Sequence, residues 1–266
     1  MEARARLGAL LRMGKMRAMR RNILITGASS GLGEGMAREF AKMGRNLALC
    51  ARRVDRLEEL KRELLATSPA IRVHVRSLDV NNYDQVFEVF RAFKEDLGTV
   101  DRIVVNAGIG KGQPVGTGYF RANRQTAETN FVAALAQCEA AVEIFRQQSA
   151  GHLVTISSVS ALRGMRGNVT TYAASKAALA TLTEGIRADL MRTPIHVTTI
   201  YPGYIRSEMN ERVKRTPFIV DTETGCRAMV AAIEREGTEA YVPRWPWLPL
   251  GFLLKRLPLS ALARMT

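Results

Sequence analysis

The sequence predicts an α/β chain folded as one doubly wound parallel sheet of about seven strands with helices on both faces. Three observations predict it. Short apolar segments recur at intervals that leave room for one helix between each pair, the intervening segments carry a helical apolar repeat, and a glycine-rich turn links the first strand to the first helix. Strands spaced in this way are joined by right-handed crossovers, which gather any ligand site at their carboxyl ends.

The first strand, Asn22-Ile23-Leu24-Ile25, runs into Thr26-Gly27-Ala28-Ser29-Ser30-Gly31-Leu32-Gly33, and the helix that follows places Leu32, Met36, Phe40 and Met43 on one face. Strands are expected at 22–26, 46–50, 71–77, 101–105, 151–157, 195–201 and 239–242. Helices are expected between them at 31–43, 53–66, 82–96, 124–148, 170–192 and 222–235. With no internal repeat, linker or low-complexity tract, the chain divides into a basic extension (1–21), one catalytic domain (22–243) and an apolar, basic tail (244–266).

A length of 266 residues, 47% of them apolar and 24% charged, suits one soluble domain with a large core. The cysteines Cys50, Cys138 and Cys226 are odd in number and scattered, without metal-ligand spacing, so they read as reduced, buried thiols of a cytoplasmic protein. His74, His152 and His196 each fall at or in an expected strand and read as structural. The net charge of +14 is concentrated at the ends: residues 1–21 hold seven basic residues and one acid, and residues 240–266 hold four basic residues and no acid. No stacking aromatics or recognition motif accompany the charge, which argues against nucleic acid as a partner.

Two local patterns carry chemistry. The strand, glycine turn and helix at 22–43 form the parts of a dinucleotide phosphate site, where glycines let the backbone approach and a helix N-terminus favours an anion. Its spacing is Gly-x-x-x-Gly-x-Gly. The second pattern is Tyr172-Ala173-Ala174-Ser175-Lys176, in which positions four apart on a helix share a face. An ammonium held near a phenol favours the phenolate; lowering a tyrosine from ~10 to about 7 needs roughly 4 kcal/mol, within reach of a lysine plus a second cation. Alone, this spacing more often marks only a solvated helix face, so its meaning depends on the rest of the chain.

Seven motifs, in order Thr26-Gly27 to Gly33, Asp79-Val80, Asn106-Ala107-Gly108, Asn130, Ser157-Ser158, Tyr172 to Lys176, and Pro202-Gly203, resemble those of the short-chain dehydrogenase/reductase family from residue 22 to about 243. The resemblance implies a Rossmann-type fold, a homodimer or homotetramer, and a small-molecule carbonyl or alcohol substrate. It implies Tyr172 as general acid, Ser158 as hydrogen-bond donor to the reacting oxygen, Lys176 as the residue that lowers the phenol's pKa and bonds the cofactor ribose, and Asn130 as holder of a water leading to solvent. Ser158 lies 14 residues before Tyr172 where the family usually has 13, so Ser160 stays open as an alternative.

By the same resemblance, Gly27, Ser29, Ser30, Gly31, Leu32 and Gly33 cradle the cofactor phosphates, Asp79 and Val80 meet the adenine, and Asn106, Ala107 and Gly108 pass beside the cofactor. Pro202, Gly203, Ile205 and Ser207 bracket the nicotinamide, with Ser207 standing where the family usually has threonine. The second strand ends in Ala51-Arg52-Arg53, without the carboxylate that accepts the ribose hydroxyls of NAD. Guanidinium groups suit a 2′-phosphate, so NADP(H) is the expected cofactor and Arg52 the expected phosphate contact, with Arg53 or Ser29 as alternatives.

The expected activity is NADPH-dependent reduction of an apolar carbonyl, ketone, aldehyde or 3-oxoacyl-like, to an alcohol; the alternative is a non-catalytic NADP(H)-binding sensor or scaffold of the same fold. Residues 204–221 form a long connection of the kind that closes over ligands, with Met209, Val213, Phe218 and Ile219 as an apolar underside, and residues 108–114 form a glycine-rich second loop. The tail's apolar run is far short of the ~20 residues that span a bilayer. Its aromatic, leucine and basic residues suit a membrane interface, a lid on the substrate cleft or a subunit contact, three readings the sequence leaves open.

Overall fold

In the computed structural model, which describes residues 19–211 and 216–265, Asn22–Thr26 forms strand β1, buried at every position. Its alternation serves two cores at once: Ile23 and Ile25 point to one face of the sheet and Leu24 to the other. Strands β2 (Asn46–Ala51) and β3 (Val73–Ser77) lie on one side of β1; β4 (Arg102–Val105), β5 (Gly151–Ile156), β6 (Ile195–Pro202) and β7 (Glu239–Val242) lie on the other. The order is β3-β2-β1-β4-β5-β6-β7 and every pair is parallel. It reverses between β1 and β4, so a crevice opens at their carboxyl ends.

Helices α1 (Gly31–Lys42), α2 (Val54–Thr67), α3 (Tyr83–Leu97), α4 (Phe120–Ala127), α5 (Ala133–Gln148), α6 (Thr170–Leu190) and α7 (Thr222–Glu234) cover the two faces. Met36, Phe40, Leu57 and Met229 fill the core on the Ile23 side; Phe90, Phe93, Ile144 and Phe145 fill the other. Side chains of this kind each contribute about 1.5–3 kcal/mol when fully buried. Cys50, Cys138 and Cys226 are buried free thiols, as expected.

Two elements depart from the expected pattern. The helix expected at 124–148 begins earlier, at Phe120, and is interrupted by a π-turn over Glu128–Val132 between α4 and α5. Residues 244–266, where prolines interrupt the apolar run, nevertheless form α8 (Arg244–Leu254) and α9 (Leu259–Met265). Trp245 is extended (φ −101°, ψ 133°), so Pro246 opens the true helix, a position where its missing N–H is no loss. Pro249 sits one turn in and gives up the single bond that would reach back to Trp245. Among the described residues no helix is long and apolar enough to cross a membrane, and no cluster of side chains could hold a metal.

Candidate active site

The end of β1 and the start of α1 meet so closely that only glycine fits. Gly27 has φ +66°, and a Cβ there would lie 2.9 Å from Ala107 Cα; one on Gly33 would lie 2.7 Å from Asn106 Nδ2. Asn106 ties the two strand ends together: its Nδ2 donates to Thr26 O at 2.9 Å, while the N–H groups of Asn106 and Ala107 donate to Thr26 Oγ1 at 3.0 and 3.1 Å. Ser30 caps α1 in an extended conformation without a side-chain bond to the helix, so the first-turn N–H groups stay available to an anion. These are the features a dinucleotide's phosphates require, and the residues present fit that group.

The loop after β4 is held by Asn130, which is fully buried in the π-turn. Its Oδ1 accepts from Ile109 N at 2.8 Å, and its Nδ2 donates to Ile109 O at 2.9 Å and Ser175 Oγ at 3.2 Å. The wide turn aims the amide at the loop, a use to which π-bulges at functional sites are often put. A Cβ on Gly108 would sit 3.1 Å from Asn130 Oδ1 and 3.2 Å from Lys176 Nζ. Gly108 therefore keeps open the gap between the amide and the ammonium.

Three side chains converge past β5. Ser158 follows the strand, and its Oγ accepts from Ser160 N at 3.1 Å. The Ser158 hydroxyl is close enough to the Tyr172 phenol to act on its ionisation. Lys176, 4% exposed, donates to Ile156 O at 2.8 Å. α6 is pinned to β5 by Ser157 Oγ donating to Lys176 O at 2.8 Å and by the Thr155–Thr183 hydroxyl pair at 2.9 Å. Ser158, rather than Ser160, is the serine whose hydroxyl acts on the Tyr172 phenol.

A family model of short chain dehydrogenases matches residues 21–217. The chain belongs to that family. An uncharacterized oxidoreductase of Mycobacterium tuberculosis is 54% identical over 239 residues, spanning 90% of this chain and 94% of the relative. The crystal structure of levodione reductase superposes with a TM-score of 0.74 at 27% identity, covering 85% of this chain and 95% of that one. A short-chain type dehydrogenase/reductase from Mycobacterium marinum gives 0.76 at 26%, covering 84% and 93%. The protein is accordingly an oxidoreductase of a family that binds a nicotinamide cofactor, acts on small molecules and is typically oligomeric.

One electrostatic expectation for this short-chain dehydrogenase needs correction. Tyr172 is held above, not below, its ordinary pKa: burial raises it and the Ser158 bond only partly offsets that. Lys176 does not lower it, because burial pushes the lysine itself down to about 8 and its ammonium is turned to the Ile156 carbonyl.

The arginines also differ in placement. Arg52 is exposed and makes no side-chain hydrogen bond among the described residues, whereas Arg53 Nε reaches Ser29 Oγ at 3.3 Å and its Nη2 pairs with Glu208 at 3.2 Å. Asp79 Oδ1 accepts from Asn81 N and Nδ2 at 3.1 and 3.2 Å, next to buried Val80. Ile205 turns its side chain into the core beneath Gly225, leaving only its backbone for a ligand; Ser207 lies against Gly31.

Residues distant in sequence meet around the two loops expected to close over a substrate. Met209 lies 3.3 Å from the Cβ position of Gly110, so the two expected loops meet; Val213 lies outside the described residues. Trp247 from α8, 5% exposed, packs on Gly203 with Val159 and Tyr201, and Phe218 meets its ring edge-on at 6.1 Å. Arg163 Nη1 donates to the carbonyls of Leu254, Lys255 and Leu257 at 3.1, 3.1 and 2.9 Å, fixing the end of α8. Neither Trp247 nor Arg163 was signalled by any local motif. Ser157 and Ser175 lay inside the quoted motifs, where their hydroxyls were the available signal.

Proposed function

We propose that this protein reduces an apolar carbonyl to an alcohol with NADPH, Tyr172 acting as the proton donor. The observation that carries the reading is the placement of Ser158, just past β5, beside the helix that carries Tyr172 and, one turn on, the buried Lys176, whose ammonium donates to Ile156 O at 2.8 Å. When bound in the Gly27–Gly33 turn, NADPH would supply the hydride for the carbonyl carbon. Tyr172 gives its proton to the oxygen as charge develops there, and Ser158 donates a second hydrogen bond to the same oxygen. Burial favours the protonated phenol, the form that a proton donor to the developing alkoxide requires. Lys176, held at the carboxyl end of β5 by its bond to Ile156 O, would hold the cofactor's ribose. Asn130 positions the 108–109 loop against the lysine and holds the path by which solvent restores the proton.

For the cofactor, Arg52 and Arg53 and the missing strand-end carboxylate favour a 2′-phosphate, and Arg53 is the arginine already seated on Ser29. The protein functions in this reading as a homodimer or homotetramer in the cytoplasm. The test is consumption of NADPH, followed by its absorbance, across ketones, aldehydes, acyl thioesters and quinones. Tyr172→Phe is expected to lower turnover 10²–10⁴-fold with NADPH binding retained; a variant keeping more than about a tenth of wild-type activity would show that Tyr172 is not the acid. Arg53→Ala and Arg52→Ala, measured separately, should reveal which guanidinium sets the NADPH/NADH preference. Loss of a charge-assisted contact of ~1.5–3 kcal/mol lowers that preference roughly tenfold or more.

A further inference from the structure

Helix α8 is apolar on two sides, and the fold covers only one. Its inner face, Trp247 and Gly251 with Leu250 and Leu254 beside them, lies on the body of the protein. Its outer face presents Trp245 (78% exposed), Phe252 (63%) and Leu253 (51%), with Leu248 and Leu259 alongside. This face is not a loose end, because Arg163 clamps the helix's last carbonyls. Around it stand Arg244, Lys255 and Arg256, all exposed, and Arg256 lies over the Phe252 ring at 3.5 Å.

The charge identifies the occupant. Residues 240–266 contain four basic residues and no acid, so a two-fold contact with another copy through this face would set like charges against each other without compensation. Tryptophan, phenylalanine and leucine ringed by arginine and lysine match the boundary between acyl chains and anionic headgroups. We propose that the outer face of α8 docks on an anionic lipid surface. Because the inner face of the same helix seats Trp247 on Gly203 and against Val159, next to Ser158, docking brings the candidate active site to the bilayer. On the reductase reading above, the substrates are then carbonyl compounds that partition into lipid.

The full chain is floated with vesicles of phosphatidylcholine, with and without phosphatidylglycerol, in the absence of cofactor. Binding is expected on the anionic vesicles and should weaken as salt rises. Two double variants, Trp245→Ser with Phe252→Ser and Lys255→Glu with Arg256→Glu, alter exposed residues outside the catalytic and cofactor residues and should each lower binding at least tenfold, with cofactor affinity and sedimentation mass unchanged. Absence of binding overturns the proposal. So does binding that survives both double variants, which would assign it to the basic residues 1–21, and so does a change in subunit number, which would make the face a contact between copies. Turnover of a long-chain aldehyde carried in anionic vesicles should fall at least tenfold in the Trp245/Phe252 variant while that of a water-soluble ketone stays level; equal rates on both would remove the delivery role. If Tyr172→Phe keeps full turnover while vesicle binding behaves as described, the reductase reading fails and the docking surface stands.

Discussion

The two ends of the sheet bury charge by opposite means. At the amino end Arg102, 1% exposed, is bonded by Glu234 and, at 3.2 Å, by Glu236, and its Nε donates to His152 Nδ1 at 2.8 Å. His152 Nε2 meets Thr198 Oγ1 at 2.8 Å; Arg20 pairs with Glu236 at 2.9 Å and Arg45 with Glu234 at 3.0 Å. The network is nearly closed, with Arg45 Nε the one buried nitrogen in it left over among the described residues. Glu236 shows the effect: burial pushes its carboxyl up, but Arg20, Arg102 and His196 outweigh that and leave it below the ordinary value. At the carboxyl end Lys176 is as deeply buried with a backbone carbonyl for a partner, and burial sets its pKa. Complete pairing fixes a structure; incomplete pairing leaves a group able to change its protonation or take a ligand.

Breaking the closed end should have the largest effect. Arg102→Met leaves Glu234 and Glu236 without their shared cation, and removing one partner of a buried pair costs about 3–5 kcal/mol. Urea unfolding should report that loss, while the protein that remains folded binds cofactor as before. A loss below about 1 kcal/mol would mean that the network contributes little to holding β4, β5 and α7 together.

Relieving the open end should have the opposite sign. In the folded protein Lys176 titrates at about 8 rather than 10.5, so between those values the unfolded chain binds more protons and stability rises with pH. Below about pH 8 the burial cost is fully present, up to about 3 kcal/mol. Lys176→Met should therefore be more stable near pH 7 by up to about that amount, should lose the rise between about pH 8 and 10.5, and should not turn over. Unfolding curves at pH values inside and below that window check all but the last point. A variant less stable than wild type at both would mean that the bond to Ile156 O matters more than the buried charge.

A smaller effect is expected where the tail closes the open end. A methyl group at Gly203 would overlap the Trp247 indole, and overpacking typically costs 1–3 kcal/mol. Gly203→Ala should release the buried tryptophan, and since the other tryptophan, Trp245, is already exposed, the emission spectrum should shift to the red. An unchanged spectrum would mean that Trp247 finds another seat.

What could be read from the sequence follows the range of the interactions. β1, the glycine turn and the Tyr172–Lys176 helix depend on residues within a few positions of one another, and their expected limits agree with the structure to one or two residues. Approximate strand positions and their parallel pairing followed from apolar spacing in the same way, whereas the strand order did not. Arg52 was the expected phosphate contact, and that its neighbour Arg53 is the one seated on Ser29 and Glu208 could not be read, because those partners are remote in the chain. The π-turn was hidden because its residues also suit an α-helix, and α8 because its stability rests on Gly203, Val159 and Arg163 rather than on its own proline-containing run.

The π-turn at Glu128–Val132 fixes the phase of everything upstream of α5. Each residue of an α-helix advances the side-chain direction by about 100°, and a π-turn holds one residue more than an α-helical path would. Excising Phe131 would let the segment heal into continuous α-helix. Asn130 would then swing by about a quarter-turn, away from Ile109 and Ser175, with no change to its identity. The loop beside Lys176 is thus positioned by a count of residues as much as by their kind, and an alignment that tolerates a gap at this place would conserve every named side chain and still misplace the amide.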